Sequence, residues 1–146
     1  GHAGFSDASG TTLSYTISEN QLTISYPGAG SNTWTKVIPS DTNPLVGSWY
    51  GGDPGQLDNF GVLTFLDDTN YIVINDVATD TEMFDGFERG TYTWTSTTFT
   101  LTVTFDADGH AGFSDASGTT LSYTISGNQL TFTFPGEGSY TLTRVQ

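Results

Sequence analysis

The feature that most constrains the fold of this chain is an internal repeat. Residues 1–37 recur at an offset of 108 as residues 109–145, and the first half of each copy is identical. Most of the remaining differences keep the character of the position, as where Ile24 corresponds to Phe132. A segment that appears twice should find the same kind of β partner twice, so we expect both copies to fold alike.

The repeat also sets the expected domain organisation. A polar segment with two prolines, residues 39–44, follows the first copy, and proline lacks the N–H that a central strand needs. We predict that residues 1–38 are the C-terminal part of a preceding repeat unit, that 39–44 are a linker and that 45–146 are a complete unit. The chain is then a piece of a longer tandem-repeat protein.

Alternation of apolar and polar residues predicts strands along the whole unit. In residues 91–95 two aromatic side chains alternate with threonine, and in 99–105 apolar residues alternate with threonine in the same way. Gly, Asn and Asp cluster between these segments, as turns require. The pattern predicts an all-β fold with about nine short antiparallel strands in a meander, which is typical of a barrel or a sandwich. The predicted strands are 45–50, 60–66, 70–75, 91–95, 99–105, 110–114, 121–125, 130–134 and 140–144.

Charge and composition limit the partners of the chain. The formal net charge is −13, and the only strong bases are Lys36, Arg89 and Arg144. Nucleic-acid binding needs a basic surface and anionic membranes repel such a chain, so we expect neither. No apolar run has the length of a membrane span, and the absence of cysteine excludes disulfides and thiol chemistry. The acids favour solubility, and they leave calcium as the natural small partner.

Two short motifs resemble a known family. Residues 45–49 (LVGSW) open the unit with a Gly-x-Trp motif, and Arg144 lies in the last predicted strand. Together they resemble the calycin pattern of lipocalin-like barrels, and segments 62–71 and 90–94 resemble lipocalin-like repeats of large bacterial secreted proteins. The resemblance implies a barrel of about eight to ten strands, with extra strands from the partial preceding repeat. It also implies a barrel floor in which the guanidinium of Arg144 stacks on the ring of Trp49, with Gly47 on the same strand face.

A short acidic stretch is the candidate calcium site. Residues 106–109 read Asp-Ala-Asp-Gly and resemble the start of a calcium loop, with Asp106 and Asp108 as ligands. An acidic hairpin turn is the alternative that we favour, because Asp and Gly are ordinary turn residues. Asp108, His110 and Ser114 have the residue types of a catalytic triad, but they lie on one stretch without a nucleophile elbow. We therefore expect no enzyme activity and no required cofactor.

The polar connection 75–88 carries five acidic residues. We expect a solvated acidic loop anchored by its aromatic residues, and the alternative is a mobile loop that gates a pocket. Glu88 and Arg89 are expected to form a weak surface ion pair.

Large aromatic side chains either fill the barrel or line a cavity for a small apolar ligand. Their number favours filling. The candidate cavity residues are Phe65, Tyr71, Trp94, Phe99 and Phe132.

These observations favour a noncatalytic structural or adhesive module of an extracellular bacterial protein, secreted or on the cell surface. The alternative is a calycin-type barrel that binds a small apolar ligand. A third hypothesis is a hydrolase with two carboxylates about 5–10 Å apart. The expected partners are neighbouring repeat units, and the surplus half-unit exposes strand edges that favour a strand-mediated homo-oligomer.

Overall fold

The computed structural model shows an all-β protein with eleven strands in the described part of the chain. The chain forms two compact units, Gly1–Val37 and Ile38–Gln146. The first contains a three-stranded antiparallel sheet, and the second is a closed antiparallel barrel of eight strands. The described residues are 10, 12–52, 59–77, 86–107, 112–136 and 138–145.

The first unit is a simple meander of three strands. These are β1 (Ser14–Ser18), β2 (Gln21–Tyr26) and β3 (Gly30–Thr35). Strands β1 and β3 are exposed along their whole length, and most of β2 is half-buried.

The second unit is an up-and-down barrel, in which each strand pairs with the next and the last pairs with the first. Closure removes the free edges that an open sheet would have. The count of eight lies within the predicted range. The barrel strands are β4 (Gly47–Gly52), β5 (Asn59–Phe65), β6 (Asn70–Val77), β7 (Gly86–Trp94), β8 (Thr98–Asp106), β9 (Thr120–Ser126), β10 (Gln129–Phe134) and β11 (Gly138–Arg144).

The two copies of the repeated segment have the same pairing. Ser18 opposes Gln21 in the first unit, and the residues 108 positions later, Ser126 and Gln129, oppose each other in the barrel. The β2–β3 and β10–β11 registers correspond in the same way along their shared length. The prediction that both copies adopt the same secondary structure is confirmed for the three strands that the structure describes in each copy.

One predicted strand is wrong. Residues 112 and 113 form a turn, and Ser114–Ala116 form one 3₁₀ turn between β8 and β9. This segment lacks the alternation of apolar and polar residues that the neighbouring strands have, and its Gly112 adopts a positive φ of 65°.

Inward-pointing side chains fill the barrel. Period-2 alternation places every second residue of a strand inside, which gives one continuous core. The buried apolar residues of that core are Leu45, Trp49, Leu63, Phe65, Tyr71, Val73, Tyr92, Phe99, Leu101, Phe113, Leu121, Tyr123, Leu130 and Phe132.

A β-bulge between β7 and β8 changes which residues face inward. The register shifts between Arg89 and Gly90, so that Gly90 opposes Val103 while Arg89 opposes Phe105. The expected alternation of 99–105 therefore ends at Val103, and Phe105 is 46 % exposed instead of buried.

Candidate functional site

The predicted floor residues lie together at one end of the barrel. The guanidinium carbon of Arg144 is 4.0 Å from the centroid of a Trp49 ring. The Trp49 indole N–H donates to the carbonyl of Leu45 at 2.7 Å, which fixes the plane of the ring. A Cβ at Gly47 would lie 2.8 Å from Nη1 of Arg144, so only glycine leaves room for the guanidinium.

Arg144 also ties β11, the last strand of the barrel, to the segment that immediately precedes β4. Its Nη1 donates to the carbonyl of Val46 at 3.1 Å, and its Nη2 donates to the carbonyl of Pro44 at 2.6 Å. Among the described residues, two pairs join β11 to β4, Thr143–Tyr50 and Arg144–Trp49. The arginine therefore reinforces the shortest seam of the barrel.

The predicted linker contributes a buried residue to this floor. Asn43 is fully buried, and its amide donates to the hydroxyl of Tyr92 at 2.8 Å and to Oδ1 of Asp68 at 3.1 Å. The Tyr92 hydroxyl donates in turn to the carbonyl of Asp67 at 2.5 Å. Burial of the phenol raises the pKa of Tyr92 to about 12, so it remains a donor at physiological pH. The floor is a satisfied hydrogen-bond network.

The candidate cavity residues contact one another or the core around them. Phe65 and Phe99 have ring centroids 5.8 Å apart, and Phe99 and Phe132 have theirs 5.9 Å apart, all with tilted or edge-to-face planes. Tyr71 is buried, and Trp94 is partly buried against the core. Rings packed at this spacing stabilise a core through their quadrupoles as well as through buried area.

A buried carboxylate at the other side of the core was not expected. Glu88 is fully buried and lies in β7, where the sequence predicted a solvated loop and a surface pair with Arg89. That expectation is wrong, because Glu88 points into the barrel and Arg89 points out. Arg89 instead lies over the exposed ring of Phe105, with its guanidinium carbon 5.4 Å from the centroid.

Four groups surround the Glu88 carboxylate, and we call this set the Glu88 cluster. The Tyr71 hydroxyl donates to Oε1 at 2.9 Å. The backbone N–H of Phe113 donates to Oε2 at 2.8 Å, and the Ser114 hydroxyl lies 3.2 Å from the same oxygen. That hydroxyl also contacts a carboxylate oxygen of Asp106, which opposes Glu88 in the β7–β8 register.

Glu88 holds a proton more readily than a free carboxylate would, because its pKa is raised. Burial raises the pKa of Glu88, and the nearby Asp106 charge acts in the same direction, while the hydrogen bonds from Phe113, Tyr71 and Ser114 oppose the rise. Burial and the Glu88 charge likewise raise the pKa of Tyr71. The Ser114 hydroxyl has one hydrogen, so it can donate to only one of the two carboxylates at a time.

Two glycines make room for the Glu88 cluster. A Cβ at Gly90 would lie 2.1 Å from the carbonyl oxygen of Thr102 and 2.8 Å from Tyr71 Cε1, so the bulge brings the backbone too close for any side chain. A Cβ at Gly112 would lie 3.0 Å from Oε1 of Glu88, and Gly112 has a positive φ of 65°. These positions were not singled out from the sequence.

The hydrogen bonds of the Glu88 cluster fix the position of Phe113, whose ring lies inside the barrel and which we call the Phe113 plug. Phe113 is 5 % exposed, and its ring contacts Tyr71, Phe132 and Phe134 at centroid distances of 6.2, 5.7 and 5.9 Å. Its backbone is held by Glu88, so the carboxylate fixes the position of this ring. The sequence placed Phe113 and Ser114 in the predicted strand 110–114 and did not identify Phe113 as a core residue, because nothing in a turn sequence marks a ring that folds back inside.

The expected calcium ligands are only partly within the described residues. Asp106 is half-buried and contacts Ser114, and Asp108 lies outside the described part of the chain. Among the described residues, no group of three or more acidic or histidine side chains is placed to hold a metal ion.

The chain was compared with protein-family models, with curated proteins and with solved structures, and none of the three comparisons gave a match. In the described part of the structure, no helix has the length and apolar character needed to cross a membrane. The description of the fold therefore rests on the strand topology, which is a closed eight-stranded antiparallel barrel consistent with the lipocalin-like type.

Proposed function

We propose that the chain is a noncatalytic structural or adhesive repeat module of an extracellular bacterial protein, built on a calycin-type barrel. The observation that supports this role most directly is the recurrence of one three-stranded meander with the same register at an offset of 108. A protein that reuses a folding unit in this way is typically assembled from successive similar modules.

The interior of the barrel supports a structural role over ligand binding. The largest side chains of the core, such as Trp49, Phe65 and Phe99, are at most 1 % exposed, and the rings of Phe65 and Phe99 contact each other. The Phe113 plug adds a further ring to the same core. A barrel of eight strands is just wide enough for side chains to fill it.

The Glu88 cluster supports an anchoring role over a catalytic one. Each Glu88 oxygen accepts from a protein donor, and the side chain is fully buried. A hydrolytic carboxylate pair needs room for substrate and water between or beside the acids. The net charge of −13 fits a module that stays soluble outside the cell.

A binding titration separates the structural module from the alternative, a barrel for an apolar ligand. The full chain is titrated with cis-parinaric acid and with 1-anilinonaphthalene-8-sulfonate, and fluorescence is recorded. We expect no saturable signal from the native chain. The matched control is Leu101→Ala, which removes most of a core side chain that is 1 % exposed; benzene should bind in the space that this leaves and raise the melting midpoint of the variant, and should leave that of the native chain unchanged. Saturable micromolar binding to the native chain would instead identify a ligand barrel.

A mechanical measurement tests the structural role directly. When the ends of the full chain are pulled, the barrel from Gly47 to Arg144 should open in one discrete event and refold on relaxation. The gain in length should be about 350 Å, from about 3.6 Å per residue. Gradual extension without a discrete event would contradict the proposal.

A further inference from the structure

The sheet β1–β3 exposes apolar side chains that its copy in the barrel turns inward. Tyr15 is 69 % exposed, whereas Tyr123 at the equivalent position is 5 % exposed. Ile17 is 70 % exposed and Trp34 is 42 % exposed. A contiguous apolar face of this kind marks an interaction surface.

We infer that the sheet β1–β3 is a docking surface for the five strands β4–β8 of a second copy of this chain, which we call the wall. There β1–β3 takes the place of β9–β11, the closing sheet of the barrel. This inference rests on the proposed role as a repeat module and names the partner that such a module takes.

The apolar face of β1–β3 carries nearly the same side chains as the face of β9–β11 that packs against the wall. Leu121 and Leu130 are at most 1 % exposed inside the barrel, and their equivalents Leu13 and Leu22 are the same residue type. Phe132 is replaced by Ile24, which is smaller and remains apolar. The wall would therefore meet nearly the same side chains in the same order.

The edges of β1–β3 match the two seams that attach the closing sheet. Strand β9 joins β8 through three pairs, Thr98–Ser122, Phe99–Leu121 and Thr100–Thr120, and β11 joins β4 through two. The residues of the first unit that correspond to this β9 edge are Thr12, Leu13 and Ser14, which are identical to it. These are the two shortest seams of the barrel, so few backbone hydrogen bonds have to be exchanged.

The floor of the barrel also accepts the first copy. Lys36 stands at the position of Arg144 and keeps a cation for the face of Trp49, although without the planar fork. Trp34 is larger than Leu142, which it would replace beside Gly51, while Asn32 is smaller than Tyr140 two positions away on the same strand face. Tyr140 is 52 % exposed and its ring contacts Phe132 and Phe134, so the change that the floor has to accommodate is the larger Trp34 ring beside Gly51, which carries no side chain.

The stoichiometry decides which copy is the partner. Each chain has one wall and two sheets able to close it, so a wall that keeps its own β9–β11 has no place for another sheet. The receiving copy must therefore be one whose closing sheet is disabled, or one that refolds beside other copies before its own sheet has closed the wall. A mixture of two full-length variants creates the first situation.

The first variant is a wall donor, with Leu22→Asp and Leu130→Asp to disable both of its sheets and Thr100→Cys as the reporter. Leu130 is fully buried, so an aspartate there is an unpaired buried charge that expels β9–β11 from the wall. The second variant is a sheet donor that carries only Thr12→Cys. The Thr100 and Thr120 hydroxyls are 2.7 Å apart in the barrel, so a docked Thr12→Cys would lie at disulfide distance from Thr100→Cys.

We expect the oxidised mixture to give a covalent dimer of wall donor and sheet donor. The matched control moves the donor cysteine to Thr16 in β1, four residues farther along the chain, which is about 13 Å in an extended segment. That control should give at least about tenfold less dimer, because the geometry of a disulfide is strict. Adding Leu22→Asp to the sheet donor should abolish the dimer, and Thr100→Cys with Thr120→Cys in one chain shows that the site can be oxidised.

A second measurement keeps the inference testable when the wall donor does not stay in solution. The Thr100→Cys and Thr12→Cys variants of the otherwise native chain are unfolded in denaturant, mixed and refolded together, so that every wall meets the sheets of other copies. Mixed disulfide above the level of the Thr16→Cys control supports the docking. Equal levels in the two mixtures overturn it. A chain that carries both Thr12→Cys and Thr100→Cys tests the other assignment, and a crosslink within that chain without any mixed disulfide between chains overturns the docking of a second copy and assigns the surface to the same molecule. Neither outcome bears on probe binding or mechanical unfolding, which test the proposed function separately.

Discussion

The carboxylates of Glu88 and Asp106 oppose each other across strands β7 and β8, and the hydroxyl of Ser114 contacts both. An acid pair that is linked through one hydroxyl and has one fully buried member is stabilising only while the hydrogen bonds of that member are complete, because each unmade bond leaves a desolvated group. The position of the Phe113 ring in the core therefore depends on the hydrogen bond from its backbone N–H to Glu88.

Replacement of Glu88 should destabilise the barrel strongly. Glu88→Ala leaves the Phe113 N–H and the Tyr71 hydroxyl without their acceptor, so we expect a loss of about 3 kcal/mol in the free energy of unfolding. Chemical denaturation followed by tryptophan fluorescence measures this loss. Glu19→Gln, at an exposed turn position, is the matched control and should change stability by less than about 0.5 kcal/mol. Equal effects of the two substitutions would contradict the anchoring role.

Stability should depend on pH through Glu88. Because burial raises its pKa, the folded state holds this proton more tightly than the unfolded state does. The contribution is fully present below the unfolded pKa and is lost as the pH rises through the folded pKa. The stability of the native chain relative to Glu88→Gln should therefore fall as the pH rises, by at most about 1.4 kcal/mol per pH unit.

Thermal melts of the native chain and of Glu88→Gln from acidic to neutral pH measure this difference. Carboxylates with lowered pKa, such as Asp67, act in the opposite direction in both proteins and cancel in the comparison. Parallel curves for the two proteins would show that Glu88 titrates alike in the folded and unfolded states.

Gly90→Ala should be among the most destabilising single substitutions. The added Cβ would lie 2.1 Å from a backbone oxygen, which has no flexible way to move aside, so we expect a loss of about 3 kcal/mol. Gly118→Ala is the matched control, since Gly118 has open space around it and a positive φ of 82°, and it should cost about 1 kcal/mol. Midpoints of urea unfolding for the two variants rank them, and the reverse order would refute the close approach at the bulge.

Arg144 should matter more than its exposure suggests. Arg144→Ala removes two hydrogen bonds to carbonyls and the contact with the Trp49 ring, for an expected loss of about 2 kcal/mol. Arg144→Lys, the residue that the first copy carries, should lose about half of that because an ammonium lacks the planar fork. Arg89→Ala removes an exposed cation over Phe105 and should cost less than about 1 kcal/mol. Hydrogen exchange at the β4–β11 seam would show where the barrel opens.

Much of the architecture follows from the sequence because its signals are local and repeated. Strands such as 99–103 and 130–134 show clean alternation, and the recurrence of residues 1–37 requires two similar sheets. The position of Trp49 against Arg144 could be anticipated from a short motif, since both residues lie at the ends of the unit where a closing barrel brings its first and last strands together.

The Glu88 cluster could not be predicted in this way. Its geometry depends on one extra residue at the bulge, which turns Phe105 outward and Asp106 inward. Alternation of apolar and polar residues does not show where a strand contains an extra residue, and an acidic residue near a polar segment is normally exposed. A glycine at position 90 inside an otherwise regular strand was the available signal, because an isolated strand glycine often marks a bulge.

The hydrogen bond from Arg144 to the carbonyl of Pro44 has a consequence for how such a barrel can be mounted. The backbone enters the barrel near Pro44 and leaves it near Arg144, and these two points are adjacent. A barrel with adjacent entry and exit points can be inserted into a surface loop of a host domain without separating the two ends of that loop.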